Sequence, residues 1–215
     1  MAKNKLSALF YPNAPFNSLF IPHILKEIYI DRIYDDALKN KSNLTIIDIG
    51  ANIGAVTHYL IKYAKKLYAI EPSTEHFEAL KKNKEFNEWD NVEIFNMAIA
   101  DKDGEMTLYR NNKNRTCHSL EENHNQGGEQ VKTMQMDTFF KENNIDFVDF
   151  MKLDVEGAEN MILKSDGFKN VARKIKIIQI EFHSPKWQDL VAQMTRLGFT
   201  LSKWEIKWIG LFIHE

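Results

Sequence analysis

An α/β fold built on a mostly parallel sheet is predicted by three features of the sequence. Short, nearly all-apolar, β-branched runs end in glycine or acidic residues and alternate with helical patterns. The first three runs follow one another as βαβαβ. The tail, 199–213, holds two strand-like runs with no room for a crossover helix, so it closes as an antiparallel pair on one edge of the sheet.

Taken in order, Ile24, Leu25, Ile28, Ile33 and Leu38 recur at helical spacing up to Asn40 and predict an amphipathic helix that packs on the core. Strands are expected at 44–49, 67–70, 92–95, 148–153 and 175–182, each bounded by polar or turn residues. Helices are expected over 54–65, around Phe77, Leu80 and Phe86, over 159–164 and over 185–197, with Gly198 placed to stop the last. Shorter strands at 106–109 and 129–135 flank a polar, Asn-rich insertion at 110–128, which is expected over the active site because long polar loops in compact domains tend to carry function.

The 215 residues are 44% apolar and 27% charged, with a formal charge of -2, and no repeat or linker divides them. This balance describes a single domain, with an arm and helix at 1–43 and the core at 44–215. It gives no support to a dedicated nucleic-acid coat. The lone cysteine, Cys117, cannot form an internal disulfide, which suits a reducing, cytoplasmic setting. Residues 6–25 carry no formal charge, but Pro12, Pro15 and Pro22 break them into pieces shorter than a signal core, so an extended aromatic arm is expected and no membrane span.

Chemistry concentrates at strand ends. Asp48-Ile49-Gly50-Ala51-Asn52-Ile53-Gly54 joins the first strand to its helix, where a tight turn and a close ligand approach require little side-chain bulk. Asn52 stands where a dinucleotide fingerprint needs its second glycine, so a ligand lacking a diphosphate is favoured over NAD. Glu71 ends the second strand 21 residues after Gly50, where a carboxylate accepts hydrogen bonds from ribose hydroxyls. The plainer account of Glu71 is a solvated residue before a helix start at Ser73 and Thr74.

Asp154, Glu156 and Glu159 crowd six residues after the fourth strand, and Glu181-Phe182-His183 ends the fifth. Open α/β sheets bind ligands outside these carboxyl ends. Asp154, Glu156, Glu181 and His183 are therefore expected to share a pocket, while Glu159 is read as a favourable first-turn charge. His183 is nominated as general base, with Asp154 and Glu181 as competitors. Asp154, Glu181 and His183 also make a candidate divalent-metal set, although Lys152 or backbone amides can satisfy the same acids. Arg110, Arg115 and His118 in the insertion suit a polyhydroxylated or anionic acceptor. Trp187, Trp204 and Trp208 offer stacking surfaces if exposed there.

The ordered set 48–54, Glu71-Pro72, Met136-Asp137-Thr138, 152–159 and Glu181-Phe182-His183 resembles the FkbM family of S-adenosylmethionine-dependent methyltransferases over about two thirds of the chain. The resemblance implies a class I methyltransferase (Rossmann-like) fold with a seven-stranded, mostly parallel sheet. It further implies S-adenosylmethionine as cofactor and O-methylation of a hydroxyl on a sugar, glycan or related small molecule. By the same resemblance Gly50, Asn52 and Gly54 line the methionine part of the cofactor, Glu71 the ribose, and Ser73 with Met97 and Ala98 the adenine. Asp48, Ala51, Pro72 and Asp154 complete that set, and Glu156 joins Arg110, Arg115 and His118 on the acceptor side. Met136 replaces a more usual leucine, and the insertion and arm match nothing in the family pattern. Rival readings are a nicotinamide-dependent oxidoreductase, a cofactor-binding module without activity, and an RNA 2′-hydroxyl methyltransferase, for which the Lys-Asp-Lys-Glu set cannot be assembled.

Overall fold

The computed structural model describes residues 25–109, 120, 127–183, 187–205 and 208–214. The central strand β1 (Leu44–Ile49) is buried on both faces because its apolar side chains alternate between two cores. Ile47 and Ile49 point into one core, and Leu44 and Ile46 into the other. It pairs in parallel with β2 (Ala64–Ile70) on one side and β7 (Phe150–Leu153) on the other. Adding β3 (Val92–Phe95), β8 (Ile177–Glu181), β9 (Phe199–Glu205) and β10 (Ile209–His214) gives a seven-stranded sheet in the order β3-β2-β1-β7-β8-β10-β9. Only β10 runs antiparallel to its neighbours β8 and β9, so the tail forms the expected edge hairpin.

One face is covered by α1 (Asp35–Leu38), α2 (Ala55–Leu60) and α3 (Thr74–Phe86), through Leu38, Leu60 and Leu80. The other carries α4 (Met136–Glu142), α5 (Glu159–Lys164), α6 (Asp166–Val171) and α7 (Trp187–Arg196), through Phe139, Ile162, Phe168 and Leu190. A separate sheet, β4 (Ala98–Ile99), β6 (Gly128–Met134) and β5 (Gly104–Tyr109), packs on this second core and carries the insertion at its far end.

Several elements differ from expectation. The long N-terminal helix is instead a π-helical turn, Glu27–Asp31, ended by Arg32 at φ 55 and followed by the short α1. Isoleucines and tyrosines lose rotamer freedom in a helix, and the break at Arg32 lets Tyr34 and Leu38 bury in the same layer as Ile28. Strand β2 starts at Ala64 rather than at 67, because Lys66 is solvent-facing and pairs with Glu93 on β3. The fourth and fifth strands are shorter than expected at their amino ends, where Val148 and Ile175 make only an isolated bridge. The arm and most of the insertion, including Arg110, Arg115 and His118, lie outside the described residues. Among the described residues, no helix is long and apolar enough to cross a membrane.

Candidate active site

The loop after β1 is folded by its own residue types. Gly50, Asn52 and Gly54 all take left-handed backbone, at φ 78, 52 and 91. A Cβ on Gly50 would lie 1.8 Å from the carbonyl oxygen of Asp154, so no other residue fits without movement of β7's end. The amides of Gly50 and Ala51 both donate to Ile70 O at 3.0 Å, which ties the loop to the end of β2.

Glu71 joins this loop to the next. Its Oε2 accepts from the Asn52 amide at 2.8 Å and its Oε1 from the Ser73 amide at 2.9 Å. The residue is buried, with His76 Nδ1 3.5 Å from Oε1. This arrangement does not match the plainer expectation of a solvated glutamate. The carboxylate is aimed by two backbone amides, and Oε2, which accepts from the Asn52 amide, has a second lone pair for a further donor. Ser73 also caps α3. Asn96, which the sequence reading did not single out, donates from Nδ2 to the carbonyls of Glu71 and Pro72, both at 3.0 Å. It fixes the chain just before Met97 and Ala98, both of which are buried.

Asp48 sits beneath the glycine loop rather than at its mouth. It is wholly buried, accepts a hydrogen bond from Thr57 Oγ1 at 2.7 Å, and lies 3.4 Å from Lys152 Nζ. Lys152 is the hub of this edge, donating to Gly50 O at 2.7 Å and standing 3.2 Å from Asp154 Oδ2. Burial opposes its charge, but Asp154 and Asp48 outweigh that and hold the ammonium well above the usual lysine range. Tyr34, Lys152, Asp154 and Glu181 line one recess. Burial pushes the Tyr34 phenol far above its ordinary value.

At the adjoining strand ends the expected cluster is assembled. His183 Nε2 lies 3.5 Å from Glu156, 3.7 Å from Glu181 and 3.9 Å from Asp154. Glu159 departs from its expected role as a first-turn charge. Its side chain is fully buried, and Oε1 meets His183 Nδ1 at 2.9 Å and accepts from the Gly157 amide at 3.1 Å. The signal in the sequence was its position at the start of α5, but only the fold shows that this first turn faces inward. Of the expected metal set, Asp154 and His183 come together with Glu156 in place of Glu181, their ligand atoms lying within 4.8 Å of one another.

Burial alone would lower the His183 pKa, but the Glu159 hydrogen bond and the charges of Asp154, Glu159 and Glu156 raise it to about 10. Burial first, and then Asp154, raise the Glu181 carboxyl to about 8 against the opposing charges of His183 and Lys152. At neutral pH the imidazole is therefore a cation held by Glu159, and Glu181 is the carboxyl tuned closest to neutrality.

A glycine loop braced by a buried carboxylate, beside an acidic strand edge on a seven-stranded sheet with an antiparallel end, is the architecture of a class I S-adenosylmethionine-dependent methyltransferase. The model of the methyltransferase FkbM domain matches residues 48–201, and the chain belongs to that family. It is 30% identical over 172 residues to Methyltransferase 1 of Beauveria bassiana, covering 70% of this chain and 69% of that protein. Among solved structures it is similar to a ribosomal protein L11 methylase from Lactobacillus delbrueckii subsp. bulgaricus, with a TM-score of 0.50 and 15% identity over 89% of this chain and 77% of that one. It is also similar to M. capricolum TrmK in complex with S-adenosyl-homocysteine, with a TM-score of 0.48 and 17% identity over 83% of this chain and 65% of that one.

Proposed function

We propose that the protein transfers the methyl group of S-adenosylmethionine to a hydroxyl oxygen of a sugar, glycan or related small acceptor. The observation that carries this reading is the contact between the glycine loop and β7's end. Gly50 packs against the Asp154 carbonyl, and Lys152 binds both Gly50 O and Asp154, so the cofactor loop and the acid cluster form one rigid edge. Gly50, Asn52 and Gly54 would leave room for the methionine portion and Glu71 would hold the ribose, with Asp154 and Glu181 at the neighbouring strand ends on the acceptor side.

Transfer is an in-line displacement, so most of the catalysis is positioning of the acceptor oxygen about 3 Å from the methyl carbon. A carbon–oxygen bond forms as the carbon–sulfur bond breaks, sulfur keeps the electron pair, and the hydroxyl proton passes to a carboxylate. Glu181, which lines the same recess as Asp154 and Lys152, takes that proton in the fraction that is ionised at neutral pH, so turnover rises as pH climbs toward 8. His183, tied to Glu159, orients the acids instead of acting as the base. The acid-rich edge favours a neutral acceptor over a nucleic-acid phosphate.

Incubation of the protein with methyl-labelled S-adenosylmethionine and a panel of hydroxylated acceptors tests the reading. Label should appear on an oxygen, and Glu181→Gln should lose turnover while keeping cofactor affinity. Label on nitrogen or carbon, or full turnover in that variant, would overturn it. The spacing of Asp154, Glu156 and His183 supports a second reading in which a divalent cation displaces the proton of the His183 imidazolium. Turnover of EDTA-treated protein that rises with magnesium, manganese or zinc supports it, and turnover indifferent to all three removes it.

A further inference from the structure

Three of the chain's four tryptophans meet beside the acid edge. Trp187, at the start of α7, lies 4.6 Å from Trp204 on β9 and 5.6 Å from Trp208 in the β9–β10 turn, measured between ring centroids. Trp204 and Trp208 are edge-to-face at 6.4 Å. Buried tryptophans in such a cluster would need no explanation, but Trp208 is 53% exposed and Trp204 is 36% exposed. Trp208 also takes left-handed backbone at φ 65, a conformation that bulky side chains rarely adopt and that Gly or Asn would occupy at less cost. Trp208 thus leaves about half of its indole to solvent on backbone that disfavours it, while its ring meets those of Trp187 and Trp204.

The cluster is locked to the active edge. Phe182, which lies between Glu181 and His183 in the chain, donates its amide to Trp208 O at 2.9 Å and stacks on Trp204 at 5.7 Å with only 13° between ring planes. Ile209, next to Trp208, is the register partner of Glu181. Gly210 makes this possible, because a Cβ there would lie 3.1 Å from the Phe182 ring. The tryptophan cluster therefore stands at the same end of the sheet as Glu181 and is joined to that strand end through Phe182.

We infer that Trp204 and Trp208, backed by Trp187, form an acceptor subsite for the apolar face of a neutral pyranose ring whose hydroxyls donate to the carboxylates alongside. A sugar ring presents C–H groups on its faces and hydroxyls around its rim, which matches an indole platform at an edge rich in carboxyl groups. The same border of acids disfavours phosphorylated or carboxylated ligands. This inference rests on the proposed O-methylation and adds to it where the acceptor ring sits and what charge it carries.

Saturation-transfer NMR on the full chain with bound S-adenosylhomocysteine tests it. The probes are neutral methyl glycosides of glucose, galactose, mannose and rhamnose, with glucose 6-phosphate and phenol as controls. At least one neutral glycoside should receive saturation through its ring C–H protons. Trp208→Ala should weaken that binding about three- to tenfold, Trp208→Phe should restore most of it, and S-adenosylhomocysteine affinity should stay unchanged. Absence of transfer to every neutral glycoside, binding indifferent to Trp208→Ala, or a preference for the phosphate or phenol probe overturns the inference. Failure of S-adenosylhomocysteine itself to bind would instead refute the proposed function, so the two failures are read separately.

Discussion

At the scale of single residues, Glu181 and His183 hold protons more tightly in the folded chain than in the unfolded one. Glu181 rises from 4.5 to about 8, so its contribution to stability is complete below 4.5 and is lost as pH climbs through 8. His183 rises from 6.5 to about 10, so its contribution is complete below 6.5 and is lost as pH climbs through 10. Chelated wild-type protein should therefore lose stability progressively from pH 4.5 to about pH 10. Glu181→Gln should flatten the segment between 4.5 and 8 and leave the variant more stable than wild type above it. Urea denaturation across that range measures this, and a variant curve parallel to wild type would contradict it. Gly50 supplies a different kind of residue-scale test. With an added Cβ 1.8 Å from the Asp154 carbonyl and a φ of 78, Gly50→Ala should cost more than about 2 kcal/mol in urea denaturation and weaken cofactor binding as well.

At the scale of elements, the loop after β1 is only as well placed as the helix beneath it. Asn83, fully buried on α3, donates from Nδ2 to Ile53 O at 2.7 Å and so supports the turn between Asn52 and Gly54. Asn83→Ala leaves that buried carbonyl short of a partner and should destabilise by about 1–3 kcal/mol, with weaker S-adenosylhomocysteine binding by calorimetry. Unchanged stability would show that water replaces the amide. Which elements could be read from sequence follows from their surroundings. Strand β1 and strand β3 stand where their apolar runs placed them, since burial on a parallel sheet leaves a plain signature. Helices α4 and α6 escaped notice because each is a short run of six or seven residues following a cap, with too few turns to show a period. Ser165, accepting from the Phe168 amide at 3.1 Å, was the available cue to α6. The strand-end residues Glu71, Asp154, Glu181 and His183 were legible from position alone. Lys152 was legible as a partner for the acids, and it stands 3.2 Å from Asp154, but the roles of Glu159 and Asn96 were not, because each acts through a partner distant in sequence that only the folded topology brings near.

At the scale of the whole molecule, the proposed cofactor site draws on strand ends that the fold already ties together, through the sheet and through the hydrogen bonds from Asn52 and Asn96 to Glu71 and from Lys152 to Gly50. The glycine loop follows β1, Glu71 follows β2, Met97 follows β3 and Asp154 follows β7, so a ligand touching all four couples the ends of four strands. Such a ligand stabilises the entire fold by mass action, and S-adenosylhomocysteine at a hundred times its dissociation constant should contribute about 2.7 kcal/mol. For a chain of this size that corresponds to a rise in Tm of about 5–11 °C. NAD should give no comparable rise, because Asn52 occupies the place where a pyrophosphate would need a bare backbone, and its own amide is already committed to Glu71 at 2.8 Å. Glu71→Ala should abolish most of the S-adenosylhomocysteine shift, since it removes both the ribose acceptor and the brace between Asn52 and Ser73. Glu71→Gln separates these roles. The amide oxygen can still accept from one backbone amide, while its NH2 group meets the other donor and cannot pair with it. Differential scanning fluorimetry of the two variants with each ligand decides the matter. A full S-adenosylhomocysteine shift in Glu71→Ala, or an equal shift with NAD in the wild type, would mean that this strand edge does not hold the adenosyl group.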